Sequence, residues 1–340
     1  MTMNRQWLLA SHPTGAASLD TWTLRDAQMP EAGPGQILVR TQWLSLDPYM
    51  RGRISAAGNY TQGVGIGEVM QGGGVGEVIA SNHPGWKPGD LAEAMTFGWQ
   101  EYAVLTPDSP GAAKVNRVDP ALAPPQASLS WLGMTGITAY VGVLEIGRPR
   151  PGDVMVVSAA SGAVGQIAGQ IGKLCGARVI AIAGSDDKLD WCRQIGFDET
   201  INYKTAADLG AAIAALAPNG VDVFFDNTGG PIHDAVMSQL AVAARVVICG
   251  RIALADNFDQ PDLGLRASSR LIVTRAMVQG LVVFDWWHKR EEAFARLAQW
   301  HASGQLTTRE DIVEGFERVP EAFLRMMSGR NFGKQLVRLA

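Results

Sequence analysis

The chain has 340 residues, enough for about two domains, and its 47% hydrophobic and 18% charged content is that of an ordinary globular protein with sizeable cores. A formal net charge of −4 with scattered basic residues excludes the strongly cationic face that nucleic acid or an anionic membrane would demand. Three cysteines, Cys175, Cys192 and Cys249, without a Cys-x-x-Cys pair exclude a disulfide framework and an all-cysteine zinc site; with an N-terminus that lacks a secretory apolar run, they predict a cytoplasmic protein.

Residues 1 to about 120 read as β-rich. Alternating or β-branched runs at 36–46, 74–80 and 101–105 are punctuated by glycine and proline clusters, which predicts a compact barrel or sandwich. Asp119-Pro120 and Pro124-Pro125 mark a boundary, after which a helical pattern runs from Gln126 to Gly147. From Asp153 the period changes. Apolar strands at 154–158, 179–183, 199–202, 221–226 and 245–249 alternate with helices at 163–174, 187–194, 206–216 and 232–240. That alternation predicts a parallel sheet covered on both faces. A further strand near 277–283 and an amphipathic helix near 287–302 close this region, and short elements at 311–314, 320–327 and 335–339 follow. The longest apolar stretch, 271–284, is interrupted by Arg275 and Gln279 and is too short to span a bilayer.

The first strand of the sheet leads into Ala160-Ser-Gly-Ala-Val-Gly165. This is the dinucleotide fingerprint G-x-G-x-x-G with Ala160 at its first position. Gly162 lets the backbone approach a pyrophosphate, and Gly165 lets the helix pack close to the strand. An NAD site places an acid at the tip of the second strand. Here that strand ends in Gly184-Ser185; Asp186 and Asp187 read as helix cap and first-turn acids, and Lys188 follows. The missing acid and the lysine together favour a 2′-phosphate and hence NADPH. Asn227, at the end of the fourth strand, is a candidate contact to the nicotinamide-side ribose.

None of the five histidines pairs with Cys or Glu at ligand spacing, so no metal site is expected. Hydride transfer without a Lewis acid suits a substrate that spreads negative charge, such as an α,β-unsaturated ketone or aldehyde: hydride reaches the β-carbon, charge collects on the carbonyl oxygen, and a proton reaches the α-carbon. A hydroxyl near that oxygen would stabilise the charge, and a tyrosine or water could deliver the proton. Tyr49 and Tyr60 flank a glycine-rich, arginine-bearing loop and are the best placed of five tyrosines. Trp43, Phe97, Trp99 and Met134 are candidates equally for an apolar pocket or for core.

Several motifs together resemble a known family: Leu44-Ser-Leu-Asp-Pro-Tyr-Met-Arg-Gly52, Gly133-Met-Thr-Gly-Ile-Thr-Ala-Tyr140, the glycine turn, Gly184-Ser-Asp-Asp-Lys188, Asn202-Tyr-Lys204, Asp226-Asn227 and Asn331-Phe-Gly-Lys334. In this order they are similar to the zinc-independent medium-chain dehydrogenases/reductases, the group of prostaglandin/leukotriene, curcumin and alkenal double-bond reductases. The resemblance implies an α/β protein in which a GroES-like β-rich domain (residues 1–127 and 305–340) accompanies a Rossmann doubly wound parallel-sheet domain (residues 128–304). It implies that Gly162, Ala163, Val164 and Gly165 hold the pyrophosphate of NADPH, and that Lys188 and Tyr203 hold its 2′-phosphate. It implies further cofactor contacts from Asn227, Cys249, Gly250, Asn331 and the backbone of Leu281, Val282 and Val283, and it implies a homodimer. Where zinc-dependent relatives carry Gly-His-Glu, this chain has Ile66-Gly67-Glu68. After Gly250 the family continues toward a Tyr-Asn pair; here the loop reads Arg251-Ile-Ala-Leu-Ala-Asp-Asn257, without tyrosine. The functional expectation is NADPH-dependent reduction of enones and enals. The alternatives are an NADPH:quinone reductase and a non-catalytic NADPH-binding protein.

Overall fold

Runs of valine, isoleucine and phenylalanine with no polar alternation are what a strand needs when both of its faces are covered. The computed structural model, which describes residues 3–56, 62–257 and 260–339, shows that arrangement in its second half. Six parallel strands lie in the order Glu199–Asn202, Arg178–Ala183, Val154–Ser158, Val221–Asp226, Leu240–Ile248 and Met277–Gly280. Numbered along the chain this is 3-2-1-4-5-6, the doubly wound order in which the strand sequence reverses between the first and fourth strands. The helices Gly165–Leu174, Asp186–Gln194, Leu209–Leu216 and Gly230–Met237 form the crossovers. Val156, Ile180, Phe224 and Val246 are buried in one cluster with Ile213 and Val236. Glycines set the closest contacts: a Cβ on Gly169 would lie 1.9 Å from the Phe197 ring, and one on Gly172 2.6 Å from the Met155 sulfur.

The first half and the C-terminal segment together form a seven-stranded sheet. Glu310–Glu314, Lys334–Arg338, Ile37–Ser45, Gly74–Ser81, Leu91–Ala94 and Asn116–Val118 pair in that order, and Tyr102–Leu105 also pairs with Ile37–Ser45. The last strand of the chain thus returns to the N-terminal sheet, antiparallel, with Leu336 opposite Ser45 and Val337 opposite Leu44. Met3–Leu9 and Trp22–Gln28 form a separate antiparallel pair. Trp22, Trp99 and Phe323 meet at centroid distances of 5.3 to 5.8 Å in the core beneath. The contacts divide the chain into two compact units: Met1–Ser130, Ala255–Gln260 and Glu310–Ala340 in the first, and Trp131–Leu254 and Pro261–Arg309 in the second.

Three local expectations are corrected. The single helix expected over 126–147 is broken into a 3-10 turn at Pro125–Leu129, an α-helix at Met134–Val141 and a π-helical turn at Gly142–Gly147. The chain folds back at 130–133 so tightly that a Cβ on Gly136 would lie 1.9 Å from the Trp131 carbonyl. The fifth strand starts at Leu240 rather than 245, because Ala243 at φ 59° and a register shift opposite Val221–Val223 interrupt the alternation the sequence shows. The sixth strand stops at Gly280; 3-10 turns over Val283–Lys289 then lead into the helix Arg290–Ala302.

Candidate active site

In open parallel sheets the ligand crevice lies at the carboxyl ends of the strands, where the order reverses. Ser158 and Asp226 end the two strands that meet there. After Ser158 the chain enters a strained turn. Ala159 has φ 46°, a left-handed conformation uncommon for alanine, and such strain concentrates at functional turns. The Ala160 N–H donates to the Ile182 carbonyl at 3.1 Å, the Gly162 N–H to the Ala159 carbonyl at 2.9 Å, and the Gln166 N–H to the Gly162 carbonyl at 3.1 Å. The last of these is the first four-residue bond of the helix. The N–H groups of Ala163, Val164 and Gly165 therefore precede its ladder, at the positive end of its dipole, which suits a pyrophosphate.

The two fingerprint glycines differ. A Cβ on Gly165 would lie 2.4 Å from the Ala159 carbonyl oxygen and 2.9 Å from the Ala160 Cα, so the turn itself requires this glycine. A Cβ on Gly162 would meet only the Ala159 carbonyl, at 3.1 Å. The space beside Gly162 is a cradle that a side chain would fill. Ala160, at the first fingerprint position, is fully buried.

The second strand ends at Ala183, and Ser185 precedes the helix Asp186–Gln194 with both aspartates in the first turn. Both acids are engaged locally. The Ser185 hydroxyl donates to Asp187, which holds that carboxyl below its usual range, and Asn202 Nδ2 donates to Asp186 at 2.9 Å. Neither stands at the strand tip where a ribose acid would. Lys188 is half-buried in the same turn. Against Gly184 lie Tyr203 and Lys204: a Cβ there would be 3.0 Å from both the Tyr203 hydroxyl and the Lys204 Cε. The Lys204 ammonium also sits 6.0 Å from the Tyr203 ring centroid. The structure therefore gathers Tyr203 and a second lysine, which sequence reasoning missed, at the turn preceding Lys188. The signal was its place next to Tyr203 in the Asn202-Tyr-Lys204 motif.

At the reversal point Asn227 is pinned by its neighbours: its N–H donates to the Ser158 hydroxyl at 2.8 Å and its Nδ2 to the Ser158 carbonyl at 2.7 Å. Cys249 and Gly250 lie alongside, both N–H groups donating to the Asp226 carbonyl, at 2.8 and 3.1 Å. A Cβ on Gly250 would be 2.8 Å from the Asn227 carbonyl. Burial and the charge of Asp226 push the Cys249 thiol up to about 12, so it is no nucleophile at neutral pH. Leu281 donates its N–H to Ile248 at 2.9 Å, placing residues 281–283 just past the end of the last strand.

Tyr49 and Asn331 belong to the first unit. Tyr49 is half-buried, immediately before the short helix Met50–Arg53, with the Arg53 guanidinium 5.5 Å from its ring centroid. Tyr60 lies outside the described residues. Asn331 donates Nδ2 to the Gly333 carbonyl at 2.9 Å. Of the four residues weighed for a pocket, Phe97 and Trp99 are completely buried in the core, while Trp43 and Met134 are partly exposed. The Ile66-Gly67-Glu68 segment is a turn in which Glu68 accepts the Gly65 N–H at 2.8 Å. Among the described residues no three His, Cys, Asp or Glu side chains come together to hold a metal, and no helix is long and apolar enough to cross a membrane.

Comparison with known proteins finds two family profiles, one described as the N-terminal domain of oxidoreductase over residues 5–115, the other as zinc-binding dehydrogenase over residues 163–300. The chain is 37% identical to the NADPH-dependent curcumin reductase of Escherichia coli (strain K12), over 99% of this chain and 97% of that one. It is 36% identical to the NADP(+)-dependent 2-alkenal reductase of Nicotiana tabacum, over 98% and 97%. The crystal structure of CurA in complex with NADPH from Vibrio vulnificus matches with a TM-score of 0.91 and 41% identity, over 99% of each chain.

Proposed function

This chain belongs to the zinc-independent medium-chain dehydrogenases/reductases, and from that membership we infer that it reduces the C=C bond of α,β-unsaturated ketones and aldehydes with NADPH. The observation that carries the cofactor assignment is the second strand end. Asp186 and Asp187 are spent on local hydrogen bonds, while Tyr203 and Lys204 gather against Gly184, beside the turn that carries Lys188. This donor set is cationic and hydroxylic, which fits a 2′-phosphate and not a pair of ribose hydroxyls.

NADPH supplies the hydride when bound. The residues of the chain hold and orient it. The N–H groups of Ala163, Val164 and Gly165 receive the pyrophosphate, Lys188, Tyr203 and Lys204 the 2′-phosphate, and Asn227 the nicotinamide-side ribose, with Cys249, Gly250, Leu281, Val282, Val283 and Asn331 completing the contacts. Tyr49 donates its hydroxyl to the substrate carbonyl oxygen as negative charge develops there. A panel of enones, enals and quinones with NADPH and NADH side by side tests this function. Turnover is expected to be fastest with an enone or enal plus NADPH, and higher turnover with quinones would overturn the assignment.

Lys188→Ala is expected to weaken NADPH binding about tenfold, the size of one charge-assisted bond, and to leave NADH unchanged. Equal loss for both cofactors in fluorescence titrations would contradict the phosphate role. Tyr49→Phe is expected to lower kcat about tenfold with little change in the NADPH dissociation constant, because water can take over part of the donation; an unchanged kcat would leave Tyr49 a packing residue.

A homodimer is part of the same proposal. The edge strand Met277–Gly280 is exposed along its whole length, with Met277 at 51% and Val278 at 42%, and Ile272 and Val273 stand exposed before it. An open apolar edge of this kind pairs with a second copy or aggregates. Val278→Lys is expected to shift the sedimentation coefficient to that of a monomer; wild-type protein that already sediments as a monomer would remove the proposal.

A further inference from the structure

Asp226 is the most heavily bonded side chain at the reversal point. Its carboxylate is 1% exposed. Oδ1 accepts the Ser158 hydroxyl at 2.9 Å, the Thr228 N–H at 2.9 Å, the Gly229 N–H at 3.1 Å and the Thr228 hydroxyl at 3.1 Å. Oδ2 accepts His233 Nδ1 at 2.8 Å. The carboxylate can only accept, so Nδ1 carries a proton. His233 lies in the first turns of the helix Gly230–Met237 and its side chain remains 26% exposed, within reach of solvent protons.

The connections run outward from this pair. The Ser158 hydroxyl that donates to Asp226 accepts the Asn227 N–H, and the Ser158 carbonyl accepts the Asn227 carboxamide. The Asp226 carbonyl holds the N–H groups of Cys249 and Gly250. The segments at this end of the first, fourth and fifth strands are thus tied to one residue, the first and fourth through the Asp226 carboxylate and the fifth through its backbone carbonyl, and His233 is the titratable donor to that carboxylate.

We propose that His233 is a positioning residue for the cofactor: its imidazolium, donating to Asp226, fixes the Ser158–Asn227 platform that receives the nicotinamide-side ribose. This rests on the cofactor assignment above. Burial alone would push the Asp226 carboxyl up, yet the bonds from His233, Thr228, Gly229 and Ser158 outweigh burial and hold it low. The hydrogen bond to Asp226 raises His233 above its ordinary value against the opposing effect of burial, with the charges of Asp226, Asp234 and Asp262 adding to the rise. Phe224, 6.1 Å away between ring centroids, is the neutral neighbour, and Arg251 stands beside Gly229 on the next loop. Because the pKa is raised, the imidazolium contribution is complete at pH below the ordinary histidine value and fades as pH climbs through the raised one.

The test is the dissociation constant of NADH, which lacks a titrating 2′-phosphate, measured against pH by fluorescence, with NADPH in parallel. Wild type is expected to lose about fivefold in affinity for both cofactors as His233 deprotonates, the difference between a charge-assisted and a neutral bond. His233→Gln, which keeps a donor but no charge, is expected to show a flat NADH profile at the weaker level, with a melting temperature that matches wild type only at pH above the raised His233 value. By reciprocity the His233 ring resonance, followed by NMR in wild type, should titrate at higher pH when NADH is bound. A wild-type NADH profile without the step, or the same step in His233→Gln, would overturn the proposal and leave the cofactor assignment standing. Failure of wild type to bind either nicotinamide cofactor would instead overturn the cofactor assignment.

Discussion

Replacing Gly165 by alanine is expected to weaken NADPH binding by at least ~100-fold, or about 2.7 kcal/mol. The added methyl would stand 2.4 Å from the Ala159 carbonyl oxygen and 2.9 Å from the Ala160 Cα, and both are backbone atoms of the turn. No side-chain rotation relieves that contact. The turn or the helix has to move, and overpacking of this sort costs on the order of 1–3 kcal/mol of stability. Any displacement also redirects the N–H groups of Ala163, Val164 and Gly165, so affinity falls with stability. Gly162→Ala separates the two effects. Its methyl meets only one atom, at 3.1 Å, so the melting temperature should stay near wild type while NADPH is still displaced from the cradle. If Gly165→Ala binds NADPH normally by fluorescence titration, the turn is not the pyrophosphate site.

Lys334→Met is expected to destabilise the first unit by about 4 kcal/mol, because it strands a buried carboxylate. Lys334 and Asp47 are 1% and 4% exposed and pair at 2.5 Å; the ammonium also donates to the Leu46 carbonyl at 3.0 Å, and Ser45 donates to the other Asp47 oxygen. Burial pulls the Lys334 ammonium down, and the charges of Asp47 and Glu310 with the Asp47 hydrogen bond work against that pull. Asp47 begins the Asp-Pro-Tyr stretch, so the same pair anchors the backbone that carries Tyr49. Calorimetry should show a melting temperature lower by roughly 10 °C for Lys334→Met. The double variant Asp47→Leu/Lys334→Met should recover much of the loss, since an apolar pair of similar volume often replaces a buried ion pair without cost. A single variant that melts with wild type would show that the pair is not load-sharing in the folded state.

The nucleotide half was legible because its signals are local. The strands at 154–158 and 221–226 coincide with the apolar runs, since a parallel strand buried on both faces admits few polar residues. The β-rich half was less legible. Trp22–Gln28 is mostly exposed and polar, and Leu91-Ala-Glu-Ala94 is built of good helix formers; both became strands because neighbouring strands offered their hydrogen bonds. The same division runs through the site. Gly162, Gly165, Lys188 and Asn227 could be proposed as contacts from position alone, each just past the end of a parallel strand. Lys204 against Gly184 and His233 on Asp226 did not, because nothing in the spacing of a lysine or a histidine says which way its side chain will face.

The amino-acid order by itself therefore determined the fold class, the nucleotide turn and the absence of an acid at the second strand tip, all properties of contiguous residues whose conformations are set by local sterics and burial. Only the tertiary structure decided that Asp186 accepts from Asn202, that Phe97 and Trp99 are core, and that Lys334 secures Asp47 across 287 residues of sequence. Those are pairings between distant segments, and their partners are chosen by how the sheets and helices pack, which the spacing along one chain does not encode.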